Sequence, residues 1–229
     1  MIVKVVKLLD QTPLHCTTAY QLIIFDFDGT LANSLPFFAS VYNELAQRYR
    51  FKALEWQDIE SLRYASPKQA MHYIGLPMWK LPFVSRDFIA RMQRQTHQIT
   101  LFEQIHESLI YLAGMGVHLA IVSSNSKNNV ANILGTELMG LFEYVYCGMS
   151  IFGKTTHLKK LLRKTRISAR HAIYIGDQAT DAEAAARAGI DFGAVTWGYG
   201  SIESLRCYPI AVELTKMTDI QRLASPLIG

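Results

Sequence analysis

Two aspartates one residue apart, Asp26 and Asp28, follow the apolar run 22–25 in the stretch YQLIIFDFDGTLANS. Like charges this close at the end of a buried segment are unfavourable unless something positive lies beside them. Other chemistry-bearing residues also follow apolar runs. Ser123 and Ser124 come after HLAIV, and Asp177 comes after AIYIG with Asp181 four residues on. Lys154 stands at the entry to a helical pattern in SIFGKTTHL. Alone, each is ordinary: Asp-Gly makes turns, serine caps helices, lysine is a surface residue. Together, the carboxylates, a hydroxyl and an ammonium form a donor set for a divalent cation and a phosphate. The cation neutralises the carboxylates, while the lysine, the hydroxyl and backbone amides hold the phosphate.

These residues need a scaffold that brings strand ends to one place. Runs at 22–25, 118–122, 144–146, 172–175 and 192–196 read as short buried strands, with a further strand at 209–212. Helical patterns at 105–115, 127–134, 155–165 and 180–188 alternate with them, and a last helix is expected near 217–223. Alternation of this kind predicts a doubly wound, mostly parallel α/β sheet, in which ligands sit at the carboxyl ends of the strands. Between 34 and 101 the alternation stops. Amphipathic helical patterns at 36–50, 56–62, 67–74 and 85–98 fill the interval, with GLPMWKLP at 75–82 as a connecting loop. The interval is far longer than a crossover needs. It predicts an inserted α-helical cap domain at 34–101, with the catalytic core formed by 1–33 and 102–229.

Composition sets outer limits. The chain has 229 residues, half of them apolar, and a formal net charge of +4. The basic residues are spread out, apart from a solvated helix face at 159–166. This suits a weak preference for anionic ligands and does not make a nucleic-acid footprint. No run is long enough to span a membrane. Three cysteines, Cys16, Cys147 and Cys207, lack metal-ligand spacing, and with no leader pattern the expected setting is the reducing cytoplasm. The seven histidines show no ligand pairing.

DFDGTL, a serine after a strand, a lysine before a helix and GDxxxD, in that order, resemble the four motifs of the haloacid dehalogenase superfamily. The helical insert after DFDGTL and the loop VTWGYGS resemble its phosphoglycolate-phosphatase-like branch. The resemblance covers about Tyr20 to the C-terminus. It implies a Rossmann-like core and an Mg²⁺-dependent phosphatase acting on a small phosphorylated metabolite, as a monomer or homodimer, with no nucleic acid or membrane partner.

By the same resemblance, Asp26 is the nucleophile that takes the phosphoryl group, and Asp28 is the general acid and base. Mg²⁺ is held by Asp26, by Asp28 through its backbone carbonyl, and by Asp177. Gly29 lets the backbone turn away and Thr30 helps to fix Asp28. Ser123, aided by the amide of Ser124, binds phosphate, and Lys154 pairs with phosphate and nucleophile. Asp181 reaches the metal through water or orients Lys154. In the cap, Arg63 and Lys68 are candidates for a second anionic group on the substrate. The dehalogenase branch lacks a carboxylate at position 28, and the phosphonatase branch also departs there, so Asp28 favours phosphomonoester hydrolysis. A sugar-phosphate mutase is the enzyme alternative. A receiver-like phosphoacceptor switch is the non-enzyme alternative, although receivers are about half this length and lack the insert.

Overall fold

The computed structural model describes residues 20–55, 57–58, 62, 67–150 and 153–224. Its elements, in chain order, are β1 (Leu22–Phe25), β2 (Ala32–Asn33), α1 (Leu35–Tyr49), α2 (Pro67–Tyr73), α3 (Leu81–Arg94), β3 (Thr100–Leu101), α4 (Ile105–Gly114), β4 (His118–Val122), α5 (Lys127–Met139), β5 (Phe142–Tyr146), α6 (Lys154–Thr165), β6 (Ala172–Gly176), α7 (Ala179–Ala188), β7 (Asp191–Val195), α8 (Ile202–Leu205) and β8 (Val212–Leu214).

Six strands form one parallel sheet in the order β5-β4-β1-β6-β7-β8. All four residues of β1 are buried. Ile23 and Phe25 face a core built with Leu109, Leu112 and Val130. Leu22 and Ile24 face the opposite core, with Leu158, Leu161 and Ala185. Burial on both faces is why this strand is a continuous apolar run instead of an alternating one. Phe25 pairs with Ile121 of β4 and Ile175 of β6, so the three central strands end level. The connections leave β1 towards β4 on one side, and β6 lies on the other. This is the point in an open α/β sheet where a crevice forms.

Several boundaries differ from the sequence expectation. The strand expected at 209–212 is Val212–Leu214, and the last helix, Met217–Leu223, is a 3₁₀ helix. Helix α5 extends to Met139 across a break at Gly135, which has φ 72°. Helix α3 begins at Leu81, inside the expected loop, with Pro82 in its first turn. A proline there is preorganised for the helix and gives up no hydrogen bond, so it starts the helix instead of preceding it. The helix expected at 56–62 lies largely outside the described residues.

The interval expected to hold only helices ends in a strand, β3, which pairs with β2 just before the interval begins. β2 and β3 pair antiparallel, Ala32 with Leu101 and Asn33 with Thr100. Two residues are too few to show a strand period. Within the insert, Tyr42, Ala46 and Leu54 form a small core with Phe38, Phe51 and Ile74. Phe88 of α3 packs between Phe37 and Phe38 of α1, 5.7 Å from each ring. Arg48 of α1 pairs with Asp87 of α3 at 2.9 Å. Met92 of α3 is fully buried and meets the Asn125 amide of the core.

Candidate active site

The chain leaves β1 still bonded to the sheet, with the Asp26 amide donating to the Ile175 carbonyl at 2.9 Å. It then turns sharply. The amides of Leu31 and Ala32 both donate back to the Phe27 carbonyl. Gly29, at φ 78°, makes the turn possible, and a Cβ there would lie 2.4 Å from Asp177 Oδ2. Glycine is therefore required twice over, by conformation and by the approach of a carboxylate.

The turn sets Asp26 against groups from two other strand ends. Lys154 opens α6 and is 4% exposed. Its Nζ lies 2.8 Å from Asp26 Oδ2 and 2.6 Å from Asp181 Oδ1. Asp181 is in the first turn of α7, and its Oδ2 accepts from the Gln178 amide at 3.1 Å. The Tyr174 hydroxyl, rising from β6, lies 3.1 Å from Asp181 Oδ1 and 2.9 Å from the Val122 carbonyl. Both Asp181 oxygens are thus engaged, and of the two roles open to this residue in the sequence, the hydrogen bonds match orientation of Lys154.

Asp177 is held from both sides. Its Oδ1 accepts from the Thr30 hydroxyl at 3.3 Å and its Oδ2 from the Tyr199 amide at 2.7 Å. Thr30 therefore serves Asp177, not Asp28 as expected, because the turn at Gly29 swings it towards the end of β6. The loop after β7 closes tightly over Asp177: a Cβ on Gly198 would lie 2.1 Å from the Asp177 Cβ. Trp197 ties the same loop down by donating to the Thr30 carbonyl at 3.1 Å.

Asp28 points elsewhere. Its Oδ1 accepts from the Ser34 hydroxyl at 2.6 Å and its Oδ2 from the Asn125 amide at 2.9 Å. Asn125 is fixed in that orientation, since its Oδ1 already accepts from the Ser126 amide and the Asn129 side chain. Ser34 occupies the N-cap position of α1 but makes no side-chain cap bond, its hydroxyl being committed to Asp28 and in contact with the Tyr199 hydroxyl. Sequence reasoning gave no role to Ser34, Asn125 or Tyr174. Ser123 is buried, and its Oγ accepts from the Asn125 backbone N–H at 3.2 Å, which leaves the hydroxyl proton to donate. Ser124 and Asp28 line the cavities beneath the insert. Arg63 lies outside the described residues, as does the side chain of Lys68.

The electrostatics are suited to a cation. Asp26, Asp177 and Asp181 bring carboxylate oxygens within 4.8 Å of one another. Among the described residues, one ammonium, Lys154, faces these carboxylates, pairing with Asp26 and Asp181. Asp26 Oδ1 is buried and has no hydrogen-bond partner among the described residues. Burial pushes the Asp26 carboxyl up to about 7, with Asp181 adding to the rise and Lys154 opposing it. Burial, then Asp181 and Asp26, push Asp177 well above the usual carboxylate range. Burial also raises Asp28, against the hydrogen bonds from Ser34 and Asn125. For Lys154, burial works against the charge, but Asp181 and Asp26 together hold its pKa above the ordinary lysine value. Anionic oxygens with one of them orphaned suit a hard divalent ion. The Asp28 side chain is not part of this carboxylate group.

Comparison with known proteins places the chain in a wider set. Residues 23–195 match the family model of haloacid dehalogenase-like hydrolases. A phosphoglycolate phosphatase of Synechococcus elongatus is 33% identical over 190 residues, covering 81% of this chain and 88% of that protein. A phosphoglycolate phosphatase of Pectobacterium atrosepticum is 28% identical, covering 93% of this chain and 94% of that one. Among solved structures, a haloacid dehalogenase-like family hydrolase from Streptococcus pneumoniae superposes with a TM-score of 0.74 at 20% identity, over 89% of this chain and 97% of that one.

Proposed function

Because the chain belongs to the haloacid dehalogenase-like hydrolases, we propose that it is an Mg²⁺-dependent phosphatase working through a phosphorylated Asp26. The observation that carries this reading is the pairing of Asp26 with Lys154 at 2.8 Å, next to a second carboxylate, Asp28, held separately by Ser34 and Asn125. Two adjacent carboxylates in different environments can take different roles.

An Asp26 oxygen attacks phosphorus and the bond from phosphorus to the ester oxygen breaks. Asp28, whose pKa is raised by burial, gives its proton to the departing alkoxide. Water then attacks the phosphoryl group on Asp26, Asp28 takes the water proton, and inorganic phosphate and free Asp26 result. Ser123 donates to a phosphate oxygen, the Ser124 amide assists, and Lys154 offsets charge on the transferring group. Asp26, Asp177 and the Asp28 carbonyl would hold the metal, which supplies charge neutralisation for the phosphoryl oxygens. Asp181 and Tyr174 keep Lys154 aimed at Asp26.

Residues 34–101 serve as the cap over this site, excluding water and contacting the leaving group. The substrate is a small phosphomonoester, and phosphoglycolate, named for the relatives, is the reference compound. A cytoplasmic setting suits the free thiols of Cys147 and Cys207. Among the described residues, no helix is long and apolar enough to cross a membrane.

The test is phosphate release from a panel of small phosphomonoesters with and without Mg²⁺. Metal-dependent release is expected, and Asp26→Asn should lower it by at least about 1,000-fold while leaving the circular dichroism spectrum unchanged. Retained Mg²⁺-dependent turnover in that variant overturns the mechanism. A stable phosphoryl-Asp26 with no release overturns hydrolysis in favour of transfer.

A further inference from the structure

Two adjoining cavities lie under the insert, of about 620 Å³ and about 400 Å³. Both reach Asp28 and Ser124, so both are open to the alcohol side of an ester whose phosphate sits at the strand ends. They share Phe38, Tyr42, Ile74 and Phe88, and the larger adds Leu45 and Met71. The combined space is that of a pocket for a sizeable ligand, far more than a two-carbon acid fills.

The described walls are mostly apolar. Among the described residues lining the smaller cavity, Asp28 is the sole ionisable acid or base of the Asp, Glu, Lys, Arg and His types. In the larger cavity Arg86 joins it, but Arg86 is exposed and its guanidinium lies 5.7 Å from the centre of the Phe83 ring. A carboxylate entering here exchanges water for the hydrocarbon of Phe38, Tyr42, Ile74 and Phe88, which cannot hydrogen-bond it. An alkyl or aryl group entering the same space gains by leaving water.

We propose that this chain selects phosphomonoesters of apolar alcohols, aliphatic or aromatic, over esters of carboxylate-bearing alcohols such as phosphoglycolate. The proposal rests on the phosphatase reading and names the substrate class of that same site.

The n-alkyl phosphates provide the test, because their leaving alcohols are nearly equal in acidity and differ mainly in buried surface. At saturating Mg²⁺, kcat/KM should rise about fourfold per methylene from ethyl through butyl to hexyl phosphate. Hexyl phosphate should also exceed phosphoglycolate. A flat series, or phosphoglycolate turned over faster than hexyl phosphate, overturns the selectivity and leaves the phosphatase reading standing. No release from any ester, ethyl phosphate included, overturns the phosphatase reading itself. Competition by hexylphosphonate and 3-phosphonopropionate, neither of which can be hydrolysed, reads the same preference in the native chain without turnover. Tighter inhibition by hexylphosphonate is expected, and the reverse order overturns the proposal. The variant Ile74→Asp should reduce the gain per methylene, and an unchanged slope in the folded variant overturns the placement of the alkyl chain along this wall.

Discussion

The floor of the site and its roof are built from opposite materials. On the floor, Asp26, Lys154, Asp177 and Asp181 are at most 4% exposed, and hydrogen bonds from Tyr174, Thr30, Tyr199 and Gln178 fix the aspartates at 177 and 181. In the roof, Phe38, Tyr42, Ile74 and Phe88 present carbon to an open cavity. A directional network tolerates almost no displacement, whereas apolar walls accept any ligand of suitable size at modest cost. On the proposed reading, the floor sets which bond is broken and the roof sets which molecule is admitted.

Breaking the floor should have the largest effect. In Gly198→Ala the new methyl would overlap Asp177, forcing the carboxylate or the loop to move. A displacement of this size should cut turnover of every ester by at least about 100-fold. Assays on ethyl and hexyl phosphate should show equal losses, and a loss confined to one ester would contradict the division between floor and roof. Gly29→Ala should behave similarly and also lower the melting temperature, since it adds positive-φ strain to the clash.

A smaller effect is expected where floor and roof meet. The Ser34 and Asn125 hydrogen bonds hold the Asp28 pKa down against burial. Ser34→Ala removes one of them, so the Asp28 carboxyl should rise further. The acid form needed for leaving-group protonation then persists to higher pH. The alkaline limb of the kcat/KM profile should move to higher pH, with a loss at the optimum of roughly tenfold. A limb that stays in place or moves to lower pH contradicts Asp28 as the acid. The smallest effect belongs to the roof alone. Asp87→Ala removes the pair to Arg48 between α1 and α3 and the pair to Arg91 within α3. It should cost about 0.5–1 kcal/mol in urea titrations, less at high salt, and leave hydrolysis of ethyl phosphate unchanged.

Much of the floor is legible in the sequence because buried parallel strands are short apolar runs, and their ends mark where ligands sit. Asp26, Asp28, Lys154 and Asp177 can each be placed in this way. What holds them cannot. Asn125 reaches Asp28 across 97 positions and Tyr199 reaches Ser34 across 165. No local pattern encodes contacts that depend on how distant loops meet. Thr30 illustrates the same limit at short range: two residues from Asp28 in sequence, it is turned by Gly29 onto Asp177. The insert is less legible than the core. Its first residues resemble an ordinary capped helix, Ser34 followed by Leu35-Pro36, yet the capping hydroxyl is used elsewhere.

That hydroxyl ties two equilibria together. Ser34 is both the entrance to α1 and a ligand of the Asp28 carboxylate. Any shift of α1 that lengthens this hydrogen bond changes the affinity of Asp28 for a proton. Thermodynamic reciprocity then requires protonation of Asp28 to shift the position of α1 by the same free energy. In the proposed mechanism, each proton that Asp28 passes is therefore also a small mechanical load on the roof.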